Sequence, residues 1–222
     1  GEIFVIMGGS GSGKSTLMRH LVGLLEPASG DILYSGESFV HGGNRSRRKI
    51  IRQFGVMYQS GALWSSMTLA ENVALPLEQF SKHTRREIAR IVSFKLALVG
   101  LAGFEEYYPA EISGGMAKRA GVARALALDP EVLFLDEPSS GLDPVSARRM
   151  DELVLQLRES LGMTVVLVTH ALESIFLVGD NAVFLDSGSR SQGAVGNPRD
   201  LREKSDNAAI RNFLTRGELK HE

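Results

Sequence analysis

Residues 8 to 16 read Gly-Gly-Ser-Gly-Ser-Gly-Lys-Ser-Thr, and the apolar run Ile3-Phe4-Val5-Ile6-Met7 stands directly before them. A strand, a glycine-rich turn and a helix in that order make a phosphate cradle. The backbone N–H groups of Gly8, Gly9, Ser10, Gly11, Ser12 and Gly13 turn inward around the α- and β-phosphates, and a Cβ at Gly8, Gly11 or Gly13 would block the turn or the close approach. Lys14 adds a point charge at the β/γ-phosphates. Ser15 offers a hydroxyl to Mg²⁺, and Thr16 closes the nucleotide-binding run. The helix opening near Lys14 and continuing through Leu17, Met18, Leu21 and Leu24 aims its positive end at the phosphates. A Gly/Ser-rich octet also serves as a flexible linker, but a linker has no reason to stand between a buried-strand pattern and an amphipathic helix. Binding of ATP or GTP is the expectation.

Asp136 and Glu137 close the apolar run Val132-Leu133-Phe134-Leu135. A carboxylate at the C-terminal end of a parallel strand beside a phosphate loop is placed to hold Mg²⁺, which assigns Asp136 to the metal. Glu137, one residue on, projects elsewhere and can polarise a water in line with the γ-phosphate as general base. Gln59 and His170 each end a predicted strand, so in a parallel sheet they share the rim with Asp136. There Gln59 can ligate the metal or orient water, and His170 can donate to the γ-phosphate. His20, His41, His83 and His221 have no such placement and read as surface residues. The turn Ser113-Gly114-Gly115 precedes a helix through Ala117, Ala120, Val122, Ala123 and Leu126. It has the form of a second anion cradle for a different nucleotide, although physics alone favours a simple helix cap.

These groups need elements to hold them. Asp31-Ile32-Leu33-Tyr34-Ser35-Gly36 alternates like a short strand, the basic run at residues 44–49 opens a helix, and Phe54-Gly55-Val56-Met57-Tyr58 reads as the next strand. From Thr68 to Ala110 apolar residues recur at three- and four-residue spacings, a helix-only insertion whose first helix Pro76 should bend or end. The βαβ rhythm then resumes: the strand before Asp136, a helix from Val145 to Leu161, Thr164-Val165-Val166-Leu167-Val168-Thr169 as a strand, and a helix from Ile175 to Val178. Residues 182–195 read as two strands around Asp186-Ser187-Gly188, followed by two polar helices. The expectation is an α/β protein with a parallel sheet.

The chain has 222 residues, no cysteine, and 25 Lys and Arg against 26 Asp and Glu, a formal net charge of -1. That balance gives no reason to expect nucleic acid as a partner, and the basic run reads as a solvated helix face. Without cysteine there is no disulfide, thiolate metal site or cysteine nucleophile. No stretch approaches the ~20 apolar residues of a membrane span, and no basic-then-apolar leader is present, so the chain is not expected to be a membrane protein itself. Gly1 and Glu2 lead almost at once into the phosphate-loop strand, which raises the expectation that an N-terminal segment is missing.

Taken together, the motifs resemble those of the ATP-binding cassette ATPases over essentially the whole chain. The resemblance comprises the phosphate loop at residues 8–16, a glutamine loop at Gln59, the signature Ser113-Gly114-Gly115, the Walker B strand ending at Asp136 with Glu137, a D-loop Ser140-Gly141-Leu142-Asp143 and a switch His170. It implies one domain of P-loop NTPase type: a RecA-like α/β core at residues 1–67 and 128–195 with an antiparallel β portion, a helical subdomain at 68–127 and a helical tail at 196–222. It also implies that two copies close head to tail around two ATP molecules with Mg²⁺, each phosphate loop facing the partner's residues 113–115 and Asp143. The adenine-stacking aromatic of this family lies upstream of the phosphate loop, consistent with a missing N-terminus.

A narrower similarity runs through Val56-Met57-Tyr58-Gln59-Ser60-Gly61-Ala62-Leu63-Trp64, Thr68-Leu69-Ala70-Glu71-Asn72-Val73-Ala74-Leu75-Pro76-Leu77, Met116, Glu173-Ser174-Ile175-Phe176 and Ile210-Arg211-Asn212-Phe213-Leu214. These segments resemble cassettes of MCE-associated lipid transporters of the Mla phospholipid type. The implied partners are a membrane permease, an MCE-type lipid-binding protein and, in some such systems, a small STAS-domain protein, with the cassette on the cytoplasmic face of the inner membrane. Met116 stands where the signature usually has glutamine, and Ala171 where an acid often follows the switch histidine. A groove between the core and the helical subdomain, lined by Ala62, Leu63, Trp64, Met67 and nearby residues, is expected to receive a cytoplasmic helix of the permease, unless Trp64 and Met67 simply pack inside the domain. A cassette for another cargo, or a soluble cassette of translation or DNA maintenance, remains the alternative.

Overall fold

The structure, a computed structural model, describes residues 1–59, 61–189 and 191–215. Ser60, His221 and the end of the expected tail lie outside the described residues. The first apolar run is β1 (Ile3–Gly8), and the loop after it opens α1 (Lys14–Leu21). That helix is shorter than its apolar spacing predicts: Gly23 takes a left-handed φ of 79°, and Leu24 is left exposed. The expected strand at residues 31–36 shrinks to β2 (Leu33–Tyr34), paired antiparallel with β3 (Glu37–Ser38). The basic run forms α2 (Gly43–Ile51), and β4 (Phe54–Met57) comes next.

The helical stretch begins with α3 (Leu69–Phe80) and α4 (Arg85–Leu98), each opened by a reciprocal capping box, Thr68 with Glu71 and Thr84 with Glu87. Pro76 neither ends nor splits α3, which continues one more turn to Phe80. After a 3₁₀ turn at Pro109–Glu111, α5 (Gly114–Ala125) runs to the next strand. It has no single apolar stripe; Gly115, Lys118, Ala120, Gly121, Val122 and Ala123 are all buried, as in a helix packed on several sides.

The second half alternates β5 (Val132–Asp136), α6 (Pro144–Leu161), β6 (Thr164–Val168), α7 (Leu172–Val178), β7 (Asn181–Asp186) and β8 (Ser191–Gly196), then ends in α8 (Pro198–Lys204) and α9 (Ala208–Thr215). Six strands form one sheet in the order β4-β5-β6-β1-β7-β8, parallel except for β8. Both faces are covered, which explains the unbroken apolar runs of β1, β5 and β6. Ile6, Phe134 and Val168 pack on Met18 and Val22 on one face, while Ile3, Val5 and Met7 belong to a larger cluster with α3 to α9 on the other. The registers Met57 with Leu135 and Asp136 with Val168 align the strand ends, so the loops leaving β1, β4, β5 and β6 emerge on one rim. Among the described residues, no helix is long and apolar enough to cross a membrane.

Candidate functional site

The phosphate loop leaves β1 at Gly8, where a Cβ would lie 2.4 Å from the Leu185 carbonyl oxygen, so only glycine fits. Gly13 caps α1 in the left-handed region without a side-chain hydrogen bond. Lys14 opens the helix, 8% exposed, and its Nζ donates to the carbonyls of Gly8 (3.0 Å) and Gly9 (2.9 Å). Burial pushes its ammonium below the usual lysine range, against the opposing pull of Glu137 and then Asp136. Thr16 is exposed in the first turn of α1.

Two acid pairs stand across the rim. Ser15 Oγ donates to Asp136 Oδ1 at 3.3 Å, and burial holds the Asp136 carboxyl above its ordinary value, with the Ser15 hydrogen bond opposing. Glu137 Oε1 lies 2.6 Å from His170 Nδ1; the glutamate is buried and the imidazole largely exposed. This contact engages Oε1, and Oε2 is the oxygen left for a water. Neighbouring acids thus point to different partners, as the strand end predicts. Gln59 is exposed just beyond β4.

A cleft of about 610 Å³ joins these groups; its walls include Gly9, Ser10, Gly11, Lys14, Ser15, Gln59, Glu137 and His170. Asp136 joins it through Ser15. Leu172 and Phe213 complete the lining. Phe213 reaches the cleft from α9 after packing on Phe184 at 5.4 Å between ring centroids, a contact no local pattern announces. The arrangement offers N–H groups and an ammonium for phosphates, hard oxygens for a divalent cation and a carboxylate for water. Ser15 Oγ and Asp136 Oδ1 are spaced as two adjacent donors of one small octahedral ion would be, so these residues fit Mg²⁺. Among the described residues no group of three His, Cys, Asp or Glu forms a protein-only cage, and Mg²⁺ commonly takes one or two protein oxygens together with substrate phosphates.

The second cradle lies apart from that cleft. Ser113 caps α5, its Oγ accepting from the Met116 N–H at 3.2 Å, and Gly114 faces open space. Asp143 caps α6, accepting at 3.0 Å from the N–H groups of Val145 and Ser146, and the Ser146 side chain first, then these backbone bonds, hold its carboxyl below the usual range. None of residues 113–115 and 143 lines the phosphate-loop cleft.

The groove expected around Trp64 is placed differently. A depression of about 680 Å³ runs between α3 and α4, floored by Met67, Ala70, Ala74, Leu75, Ile88, Ala89 and Val92 and edged by Glu71, Glu78, Glu105 and Glu106 with Arg85. Met67 belongs to it. Ala62 is instead held by its carbonyl, Leu63 packs against the core, and Trp64 stands 58% exposed nearby. Beneath them Asn72, fully buried, accepts from the Trp64 N–H and donates to the carbonyls of Trp64, Met67 and Thr68. A polar residue on the apolar face between Leu69 and Val73 was the available signal for it.

The family model described as ABC transporter matches residues 1–140. The chain belongs to the ABC transporter family. It is an ATPase cassette of α/β, P-loop NTPase type. The cassette is 42% identical to the probable ribonucleotide transport ATP-binding protein mkl of Mycobacterium tuberculosis over 96% of its length, and spans 59% of that relative. It is 39% identical to the intermembrane phospholipid transport system ATP-binding protein MlaF of Haemophilus influenzae, covering 83% of the cassette and 70% of MlaF. The structure superposes with a TM-score of 0.78 on the dimeric post-hydrolysis state of the cassette MJ0796 bound to ADP and Pi, at 30% identity over 88% of this chain and 85% of that one.

Proposed function

We propose that the cassette hydrolyses ATP to drive a transporter moving phospholipid between inner and outer membranes, working from the cytoplasmic face of the inner membrane as two copies closed head to tail. The observation that carries this reading is the separation of the two cradles. One cleft gathers Lys14, Ser15, Asp136, Glu137, Gln59 and His170, while residues 113–115 present a capped helix N-terminus elsewhere. A second copy would bring its residues 113–115 and Asp143 over the first copy's nucleotide, and the dimeric state of MJ0796 supports pairing of two copies.

In this reading the backbone of residues 8–13 with Lys14 and Thr16 holds the nucleotide. Ser15, Asp136 and Gln59 hold Mg²⁺, which when bound neutralises charge on the phosphates. Glu137 takes the proton of the attacking water through Oε2, and His170 orients Glu137 while facing the γ-phosphate. Residues 1–67 and 128–195 act as the core, residues 68–127 as a helical subdomain presenting the groove between α3 and α4 to a membrane permease, and residues 196–222 as a tail. An MCE-type lipid-binding protein and a small STAS-domain protein complete the system.

Phospholipid as cargo rests on the name of MlaF and on the resemblance through residues 56–77; the name of mkl keeps a different cargo as the second reading. Glu137→Gln should leave ATP binding intact, trap the closed dimer in size-exclusion chromatography and lower kcat by ~10²–10⁴-fold; normal turnover would show that the base is misassigned. For the cargo, the complex purified from membranes should contain a permease with bound phospholipid, and recovery of a different solute carrier would overturn it. Leu75→Glu, on the wall of the groove between α3 and α4, should abolish co-purification of the permease; an intact complex would remove the groove from the reading.

A further inference from the structure

Among the described residues, four other than glycine adopt a left-handed backbone: Ser35, Ala62, Asp129 and Glu137. Two of them, Ala62 (φ 50°) and Glu137 (φ 49°), sit in the loops that carry Gln59 and the candidate base, and a cation of α5 grips the carbonyl oxygen of each. Lys118, 9% exposed, donates from Nζ to the carbonyls of Glu137 (3.3 Å) and Ser140. Arg124, six residues along the same helix, donates to the carbonyls of Ala62 (2.7 Å) and Gly61 (3.0 Å). Between them Gly121 lets the glutamine loop touch the helix, since a Cβ there would stand 3.0 Å from the Gly61 carbonyl oxygen.

Sequestering two cations against neutral carbonyls is costly, and burial pulls both below their ordinary pKa ranges. Apolar residues would fill the space at lower cost, so their presence calls for a reason beyond packing. A carbonyl acceptor fixes the plane of a peptide, not a rotamer. The left-handed turn at Glu137 is strained and is held from two sides, its N–H donating to the Val168 carbonyl at 2.8 Å and its carbonyl accepting from Lys118. Those two bonds set the direction in which the Glu137 side chain leaves the rim.

We propose that Lys118 and Arg124 are positioning residues through which α5, the helix that opens at residues 113–115, holds the Glu137 and Gln59 loops in register. Displacement of α5 at its N-terminus then reaches both loops of the chain's own cleft. The inference rests on the proposed roles of Glu137 and Gln59.

The test uses the purified full chain with the variants Lys118→Met, Lys118→Arg and Arg124→Lys, measuring steady-state ATP hydrolysis, MANT-ATP affinity and melting temperature. Lys118→Met should lower kcat by ~10–100-fold while MANT-ATP affinity changes less than about twofold, the loss expected for a misplaced catalytic group. Lys118→Arg should recover most of that loss. A kcat for Lys118→Met within twofold of the parent overturns the proposal, as does joint loss of affinity and turnover without rescue by arginine. Should Lys118→Met give no folded chain, Arg124→Lys carries the test: an ammonium lacks the planar fork that spans two carbonyls, so kcat should fall about 3–10-fold at unchanged affinity. Parent kcat in that variant is equally fatal. Failure of the underlying reading is separable, because it appears as normal turnover in Glu137→Gln whatever the Lys118 variants do.

Discussion

The glycine-rich turn at residues 8–13 opens α1 with no side-chain cap, whereas the turn at residues 113–115 opens α5 under Ser113, whose hydroxyl accepts from the Met116 N–H. The first turn is surrounded by its own chemistry: Lys14, the Ser15 and Asp136 pair, and Glu137 with His170. The second has a helix N-terminus and the carboxylate of Asp143, already engaged in capping α6, but no lysine, candidate metal ligand or base in its turn. Both have the form of anion sites. Only the first has groups in its own chain that can act on the anion, the contrast expected if the two turns are halves of the proposed composite site.

The largest effect should come from damaging one half in each of two copies. Lys14→Ala removes the charge at the phosphates. Gly114→Glu puts a carboxylate into the open space before α5, where nothing lies within 4 Å of an added Cβ, so folding should be spared. Each variant alone should show no turnover, with MANT-ATP binding retained only by Gly114→Glu. Mixed at equal amounts they should regain roughly a quarter of parental activity, since random pairing makes half the two-fold dimers mixed and each mixed dimer has one intact composite site. Absence of any recovery on mixing would break the comparison and return each cradle to its own chain.

The alternating elements and the rim were legible because each parallel strand is an apolar run ending in a polar residue, and aligned strand ends put Gln59, Asp136 and His170 on one edge. Local patterns misled where a backbone conformation or a packing demand overrode them. The apolar spacing of α1 continues to Leu24, but the left-handed Gly23 stops the helix; Pro76 looks like a breaker, yet α3 loses one hydrogen bond and goes on. Ala62, Leu63 and Trp64 were expected to line the groove, but the Arg124 grip on Ala62 and the Asn72 bonds direct this stretch elsewhere. Lys118, Arg124 and Phe213 act through residues 19 to 62 or more positions away, which one sequence read by period cannot join.

The helical flank offers a sharper cut at the same contrast. Asn72 satisfies four backbone groups of the loop at residues 64–68 from a fully buried position. Asn72→Ala takes this partner from the Trp64 N–H and the Met67 carbonyl, while the Trp64 and Thr68 carbonyls keep the Met67 and residue 72 N–H groups, and should cost about 1–3 kcal/mol, read as a lower urea midpoint. Since the phosphate cleft draws no wall from α3, MANT-ATP affinity at the first cradle should stay within about twofold while hydrolysis falls. Equal losses in affinity and stability would mean that the flank and the first cradle form one cooperative unit, and the two halves would then be separable in chemistry but not in folding.

The smallest effect compares a serine from each cradle. Ser113 supplies the side-chain cap of α5, so Ser113→Ala should cost ~1 kcal/mol, a fall of about 2–4 °C in Tm for a chain of this size. Ser12 is half-buried in the phosphate loop, and its shielded Oγ has no protein hydrogen-bond partner. Removing a hydroxyl that makes no bond in the folded chain loses no interaction and spares its desolvation, so Ser12→Ala should leave Tm unchanged or raise it. If the two truncations lowered Tm alike, the first turn would be as internally bonded as the second. The claim that its N–H groups and hydroxyls are arranged for an anion, while residues 113–115 are first a helix cap, would then fail.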